Sequence, residues 1–377
     1  MKKLMEEGFN WSEWDNTTRM EKLIEVNRNY MKVVAEDALD VEEIYQKYGI
    51  HVECGVCADG RISFAKYGRC FEGEIIPRRS IGAKFRYGHP TFRKSFDKSA
   101  RYAKERGRIF VFFITFHYDD RGTEKCCAGW KNNTEKARKA AFSLRDQIRR
   151  AYPLGDVCPI VVGMETSKEE YIFFDETPDR FIATSEQIGK DRHKIFAEIQ
   201  TILGSRVPLD VKKYVLRLIE GNTRHMTEHK LEAEHPISME HCEMGIFFGE
   251  GATWTPPHRL MIINPNSMSL GEELLKAVEL QIEVQQSGRV KNGFLLIVST
   301  KYRELSEIPG AIEQTRDLTR FALQLIWSYR RDVHAMIDVM SIIVNVETKE
   351  LTLVDMDHET FEFTPLEEIE YEPDFAE

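Results

Sequence analysis

Residues 51–61 read HVECGVCADGR, and residues 241–251 read HCEMGIFFGEG. Side by side the two stretches share His, Glu and Gly at three positions, but Cys57, Asp59 and Arg61 of the first stand opposite Phe247, Gly249 and Gly251 of the second. A second pair lies further on: DVCPIVVGMET (156–166) against DVMSIIVNVET (338–348). Here Asp, Val, Ile, Val, Glu and Thr coincide at a shift of 338 minus 156, or 182; the first pair sits at 241 minus 51, or 190. Two matches in the same order predict an internal duplication whose copies differ by a few loop residues.

The runs between these anchors give the fold class. Strand-like runs fall at 52–57, 74–77, 109–116, 157–164 and 171–174, with amphipathic helical runs at about 92–106 and 130–151. The order recurs at 243–248, 259–264, a helix 271–288, 294–299, a helix 311–331, 339–346 and 351–354. Strands alternating with helices predict an α/β fold with largely parallel sheets, here as two tandem domains. Helical spacing of Met20, Leu23, Ile24, Val26, Tyr30 and Val33 predicts a helical arm ahead of them. The expected organisation is an arm at 1–48, a first domain at 49–177, a polar helical connector at 178–238, a second domain at 239–358 and an acidic tail at 359–377. The last seventeen residues, FEFTPLEEIEYEPDFAE, hold seven acids and no base, which places the tail on the surface or leaves it without a fold.

With 377 residues, a formal charge of −10 and a pI near 5.7, the chain can bury two cores and lacks the clustered excess of Lys and Arg that a nucleic-acid surface needs. No apolar stretch is long enough to span a bilayer, and MKKLMEEGFNWSEWD is no signal peptide, so no membrane association and a cytoplasmic location are expected. Seven cysteines in such a chain are expected as thiols, available to metal or catalysis.

Residues two apart in a strand share a face, so Cys57, Asp59 and Arg61 line up where the first strand runs out into its loop. The apolar run IFVFFITF (109–116) ends at His117, at the C-terminal end of a predicted central strand where open α/β sheets place ligands. Cys127 follows, just ahead of the helical run from Trp130, and a helix N-terminus favours thiolate. Cys57, His117 and Cys127 together suit Zn2+ and leave a fourth tetrahedral position open. Arg61 is expected to pair with Asp59 and hold it ionised as the acceptor for a metal-bound hydroxide. In the second copy Ser299 or Thr300 stands where His117 would be, so no metal is expected there.

Other readings of the same residues stay open. Cys54, Cys57, Cys126 and Cys127 together suit a closed structural zinc site or a redox pair, although Cys54 aligns with apolar Met244. Cys126 is an alternative ligand to Cys127. Cys70 and Cys158 are expected as buried small hydrophobes. His225, Glu228 and His229 spell HxxEH, the inverted zinc-peptidase signature, within the polar connector. An assembly protein with a purely structural metal is a third alternative.

Cys57-Ala-Asp59-Gly-Arg61, the GEIIPRRSIG segment at 73–82, an amphipathic helix and an apolar strand ending in His117 resemble the plan of the β-class carbonic anhydrases. The interval from His117 to Cys127 is longer than in that plan, and in this the chain resembles the zeta-class and carboxysome shell (epsilon) enzymes. So do the helical N-terminal region and the second domain without metal. The resemblance implies two β-carbonic-anhydrase-like domains, the second degenerate, and a zinc lyase that reversibly hydrates carbon dioxide to bicarbonate. It implies Cys57, His117 and Cys127 as zinc ligands with Asp59 and Arg61 as catalytic residues, and allows Asp59 to close the site by taking the open position. It further implies a pseudo-dimeric chain that pairs into a homodimer, with a microcompartment as a possible location. His89 and Tyr118 are proximity-based candidates for bicarbonate binding or proton transfer.

Overall fold

The computed structural model describes residues 14–36, 41–60, 62–70, 73–120, 126–153, 155–232, 243, 245–250, 260–264, 270–348 and 350–354. Arg61 and the acidic tail therefore lie outside the described residues, as do the side chains of Glu228 and His229.

Helices α1 (Asn16–Glu36) and α2 (Val41–Tyr48) lead into β1 (Ile50–Cys57), β2 (Ile76–Ser80), α3 (Pro90–Glu105), β3 (Ile109–Tyr118), α4 (Thr134–Ala151), β4 (Val157–Glu165), β5 (Glu170–Phe174) and β6 (Phe181–Ala183). These strands form one six-stranded sheet in the order β2-β1-β3-β4-β5-β6. Strands β2, β1, β3 and β4 run parallel, and β5 and β6 are antiparallel additions. Parallel strands are covered on both faces, which is why β1 is buried at every position and why β3 reads as an unbroken apolar run. Pro159 inside β4 is tolerated because the antiparallel pairing with β5 starts only at Val162, before which no neighbour on that side needs its missing N–H.

Two helices cover one face. Pro90 opens α3, which buries Phe92, Phe96, Ala100 and Ala103, while Asn133 caps α4 by accepting from Lys136 N at 2.9 Å and Ala137, Ala141, Leu144 and Ile148 face the sheet. The other face is covered from the segment expected as a connector. Helices α5 (Arg192–Ile202) and α6 (Leu209–Glu232) put Ile195, Ile199, Val211, Tyr214, Val215, Leu218 and Ile219 into the core against β1 and β3. The polar impression of 178–238 came from the outward face of these helices; their inward face completes the first unit, and β6 extends its sheet.

The second unit comprises β7 (Gly245–Gly249), β8 (Leu260–Ile263), α7 (Leu270–Gln286), β9 (Phe294–Tyr302), α8 (Ile308–Tyr329), β10 (Ile337–Asn345) and β11 (Leu351–Leu353). Its sheet order, β8-β7-β9-β10-β11, reproduces that of the first five strands, again parallel except for the last. Helices α7 and α8 cover one face. The opposite face receives α1, so the arm is part of the second unit's core: Leu23 is 1% exposed among Phe247, Leu295, Ile297 and Ile342. Arg19, wholly buried beside it, donates to Asn16 Oδ1 at 2.6 Å, Gly293 O at 2.8 Å and Lys291 O at 2.6 Å. Hydrogen bonds to a charged group contribute about 1.5–3 kcal/mol each, enough to offset the several kcal/mol that burying the guanidinium costs.

The units meet along their edge strands β2 and β8. Ile262 N of β8 donates to Ala58 O at 2.8 Å, Asn264 Nδ2 to Pro77 O at 3.3 Å, and Ser80 Oγ to Glu273 Oε1 on α7 at 2.6 Å. Leu23→Ala is expected to destabilise the chain by about 2–4 kcal/mol, read as a drop in the urea midpoint. A shift below about 0.5 kcal/mol would show that α1 is not docked in solution.

Candidate metal centre

Cys57 ends β1, and His117 stands next to last in the neighbouring strand β3, so two side chains converge at the C-terminal edge of the sheet. The third comes from the loop beyond β3. Cys127 Sγ lies 3.9 Å from Cys57 Sγ, and the ligand atoms of Cys57, His117 and Cys127 lie within 4.8 Å of one another. All three residues are buried, at 5%, 2% and 3% exposure. Two sulfurs at about 2.3 Å from a tetrahedral ion stand about 3.8 Å apart, so the spacing already suits a thiophilic dication. The imidazole agrees: both ring nitrogens of His117 are buried and have no hydrogen-bond partner among the described residues. A buried polar atom left so costs about 1–3 kcal/mol, and coordination is a way to satisfy one.

The two thiols are hydrogen-bonded to each other. The hydrogen bond from Cys127 holds Cys57 well below the usual thiol range despite its burial, with His117 close by adding to the effect. The same bond, with burial, pushes Cys127 well above it. Opposite shifts are what a donor and its acceptor must show, and Gly82 N, which donates to Cys57 Sγ at 3.2 Å, also favours negative charge on that sulfur. The helix expected to start beside Cys127 begins later than the sequence suggests. Cys127 caps only a single 3-10 turn, Ala128–Trp130, and α4 begins later, at Thr134. Cys126 points away, accepting from Thr134 Oγ1 at 3.4 Å, so the geometry selects Cys127 over its neighbour. Cys54 lies on the other side of β1, its thiol pushed up to about 12 by burial, as is that of Cys158.

Backbone contacts hold this arrangement. Gly82 sits at φ +74°, and a Cβ on Gly129 would stand 2.8 Å from Gly82 N and Cα, so the two loops touch where only glycine fits. Trp130 Nε1 donates to Gly82 O at 2.7 Å across the same junction. Buried Arg79 donates to the carbonyls of Cys57 at 2.9 Å, Asp59 at 3.2 Å and Ile62 at 3.0 Å, fastening the loop that carries Asp59. Sequence reasoning missed Arg79; its signal was a lone Arg-Arg pair inside an otherwise strand-like run.

The three ligand candidates and Asp59 line a cavity of about 100 Å³. Its opposite wall belongs to the second unit: Met261, Leu280 and Val284, with Glu243, Glu283 and Arg289. Pockets for drug-sized ligands run to about 300–1,000 Å³, so this one suits a molecule of a few heavy atoms. His89 and Tyr118 are not among the lining residues; His89 precedes α3, and Tyr118 stacks on Phe116 on the other face of the sheet.

Two expected features resolve differently. His225 pairs with Glu169 Oε2 and stacks on Tyr67, so it serves to fasten α6 to the first unit. In the second unit Gly245 pairs with Leu295, as Gly55 pairs with Ile114, and the stretch of β9 three residues on, Val298-Ser299-Thr300, holds neither histidine nor cysteine. Among the described residues no other group of metal-binding side chains occurs, and no helix is long and apolar enough to cross a membrane.

No family profile matches the chain, and no curated protein does. A similar solved structure is described as that of the beta-carbonic anhydrase CcaA, at 12% identity and a TM-score of 0.32, covering 44% of this chain and 92% of that one. A likeness of that strength fixes neither fold nor chemistry. What the chain itself defines is a mixed α/β protein with two parallel-rich sheets and a buried Cys-His-Cys group able to hold a metal.

Elemental analysis is expected to find one bound metal per chain in the wild type and in Cys126→Ser, and little in Cys57→Ser or Cys127→Ser. Metal kept by Cys127→Ser and lost by Cys126→Ser would reverse the ligand assignment.

Proposed function

We propose that this chain is a zinc-dependent carbonic anhydrase, catalysing the reversible hydration of carbon dioxide to bicarbonate and a proton. The observation that carries the reading is the buried Cys57, His117 and Cys127 group, with its partnerless imidazole, opening on a small cavity rimmed by Asp59. Two thiols and an imidazole are a donor set suited to zinc, and three protein ligands are the number a catalytic site uses. A zinc ion held there supplies Lewis acidity and a nucleophile drawn from water near neutral pH.

The protein's own groups do the rest. Asp59, 6% exposed and held through its carbonyl by Arg79, lines the same cavity, where its carboxylate would serve as a hydrogen-bond acceptor. Arg61 is assigned to the same chemistry by the motif resemblance alone. Met261, Leu280 and Val284 give the cavity an apolar wall, which admits a small neutral molecule and limits competing water. A closed structural site would want a fourth sulfur, but Cys54 and Cys126 are turned elsewhere. A peptidase at the HxxEH segment would need His225, which is already engaged by Glu169.

The shared strand order and the two sequence matches support the inference that residues 49–177 and 239–358 descend from one ancestral domain, the second copy having lost its ligands. Stopped-flow hydration of carbon dioxide by zinc-loaded protein is expected to exceed the buffer rate and to rise from about pH 7 to 9, since two thiolate ligands cancel the charge that acidifies water. Asp59→Asn should keep its zinc and lose about 100-fold in rate. No rate above buffer would remove the assignment.

A further inference from the structure

The hydrogen bonds described between the two units share a destination. Ile262 N reaches Ala58 O, the residue after Cys57; Asn264 reaches Pro77 O and Glu273 reaches Ser80, both on β2 alongside. Ser80 is the residue paired with Cys57 in the sheet, and its own carbonyl accepts from Ala58 N at 3.0 Å. Two residues on, Gly82 gives its N–H to Cys57 Sγ. Ser80 is also the residue before the 3-10 turn Ile81–Ala83, where a serine hydroxyl would ordinarily cap the turn; it makes no such cap. That hydroxyl is turned instead to Glu273, 7% exposed on α7 of the second unit.

We propose that Glu273 is a positioning residue for the metal centre: by holding the Ser80 hydroxyl, the second unit sets the Ile81–Ala83 turn so that Gly82 N–H meets the Cys57 sulfur. The turn has little freedom to find that position alone. Gly82 is in the left-handed region and is pressed by Gly129, so a small rotation at Ser80 moves the N–H off the sulfur or drives the two glycines together. An N–H donated to a thiolate disperses its charge and fixes its direction, and outer partners of this kind are typically worth about 10–100-fold in metal affinity. The unit that lost its own ligands thus acts on the ligand of the other. This rests on the metal-site reading above, but not on the reaction assigned to it.

The test is zinc affinity by chelator competition, together with the sulfur-to-metal charge-transfer band of the cobalt(II)-loaded protein. Glu273→Ala is expected to weaken zinc binding about tenfold and to shift the cobalt band, while Glu273→Gln, which keeps an acceptor oxygen for Ser80, restores both. Glu279→Ala, an exposed change on the same helix, should leave both as in the wild type. Should Glu273→Ala fail to fold, Ser80→Ala must give the same loss. Wild-type affinity and an unmoved band in Glu273→Ala, or in Ser80→Ala where that is the variant read, would overturn the proposal. So would a Gln variant no better than Ala, or an equal loss in Glu279→Ala. A wild type that binds neither metal would overturn the metal centre itself, a result distinct from any of these.

Discussion

Burial of an imidazole with both nitrogens unpartnered is the constraint on which this structure turns. His117 is 2% exposed and lies against the Cys57 thiol, and a buried polar group short of hydrogen-bond partners costs free energy. The fold carries that cost in its most apolar element, β3, flanked by β1 and β4 and covered on both faces. The hydrogen bond between Cys57 and Cys127 offsets part of the cost of burying two thiols side by side. A metal held by the imidazole and both sulfurs as thiolates would add to folding stability and bind with a pH-dependent affinity.

The second unit earns its place through shape and contact. It has no ligand group among the described residues, yet its β8 and α7 wall the cavity and bond to both strands beside Cys57. The strand ends of this unit carry apolar residues such as Phe247 and Val298, whereas its contacts with the first unit are made by polar groups. Ile262 N, Asn264 and Glu273 are therefore the better guides to its role.

Much of this was legible in the residues. Unbroken apolar runs and a period near four located the strands and helices of both units, because buried parallel strands must be apolar throughout and their helices must be amphipathic. Cys57 and His117 could be gathered from strand ends, since adjacent parallel strands deliver their C-terminal residues to one edge, and Cys127 from the loop that follows. Some of the misses concern contacts between segments far apart in the chain. The amphipathic pattern of α6 does not say which sheet it covers, and nothing in Leu23 or Arg19 points to a partner some 300 residues away. Arg79 was hidden because a buried arginine satisfied by carbonyls leaves no paired acid to look for. The helix start was read too early because Trp130 and its neighbours form a separate short turn, which periodicity merges with the helix that follows.

The docking of α1 onto the last-formed sheet has a consequence for biosynthesis. On the ribosome α1 is made well before Asp338, which receives Asn16, and Ile342, which belongs to the same cluster as Leu23. At about 5–20 residues per second, tens of seconds pass between them. Over that interval the apolar side of α1 has no finished sheet to cover, and the second sheet closes this face only when the earlier-made helix returns to it.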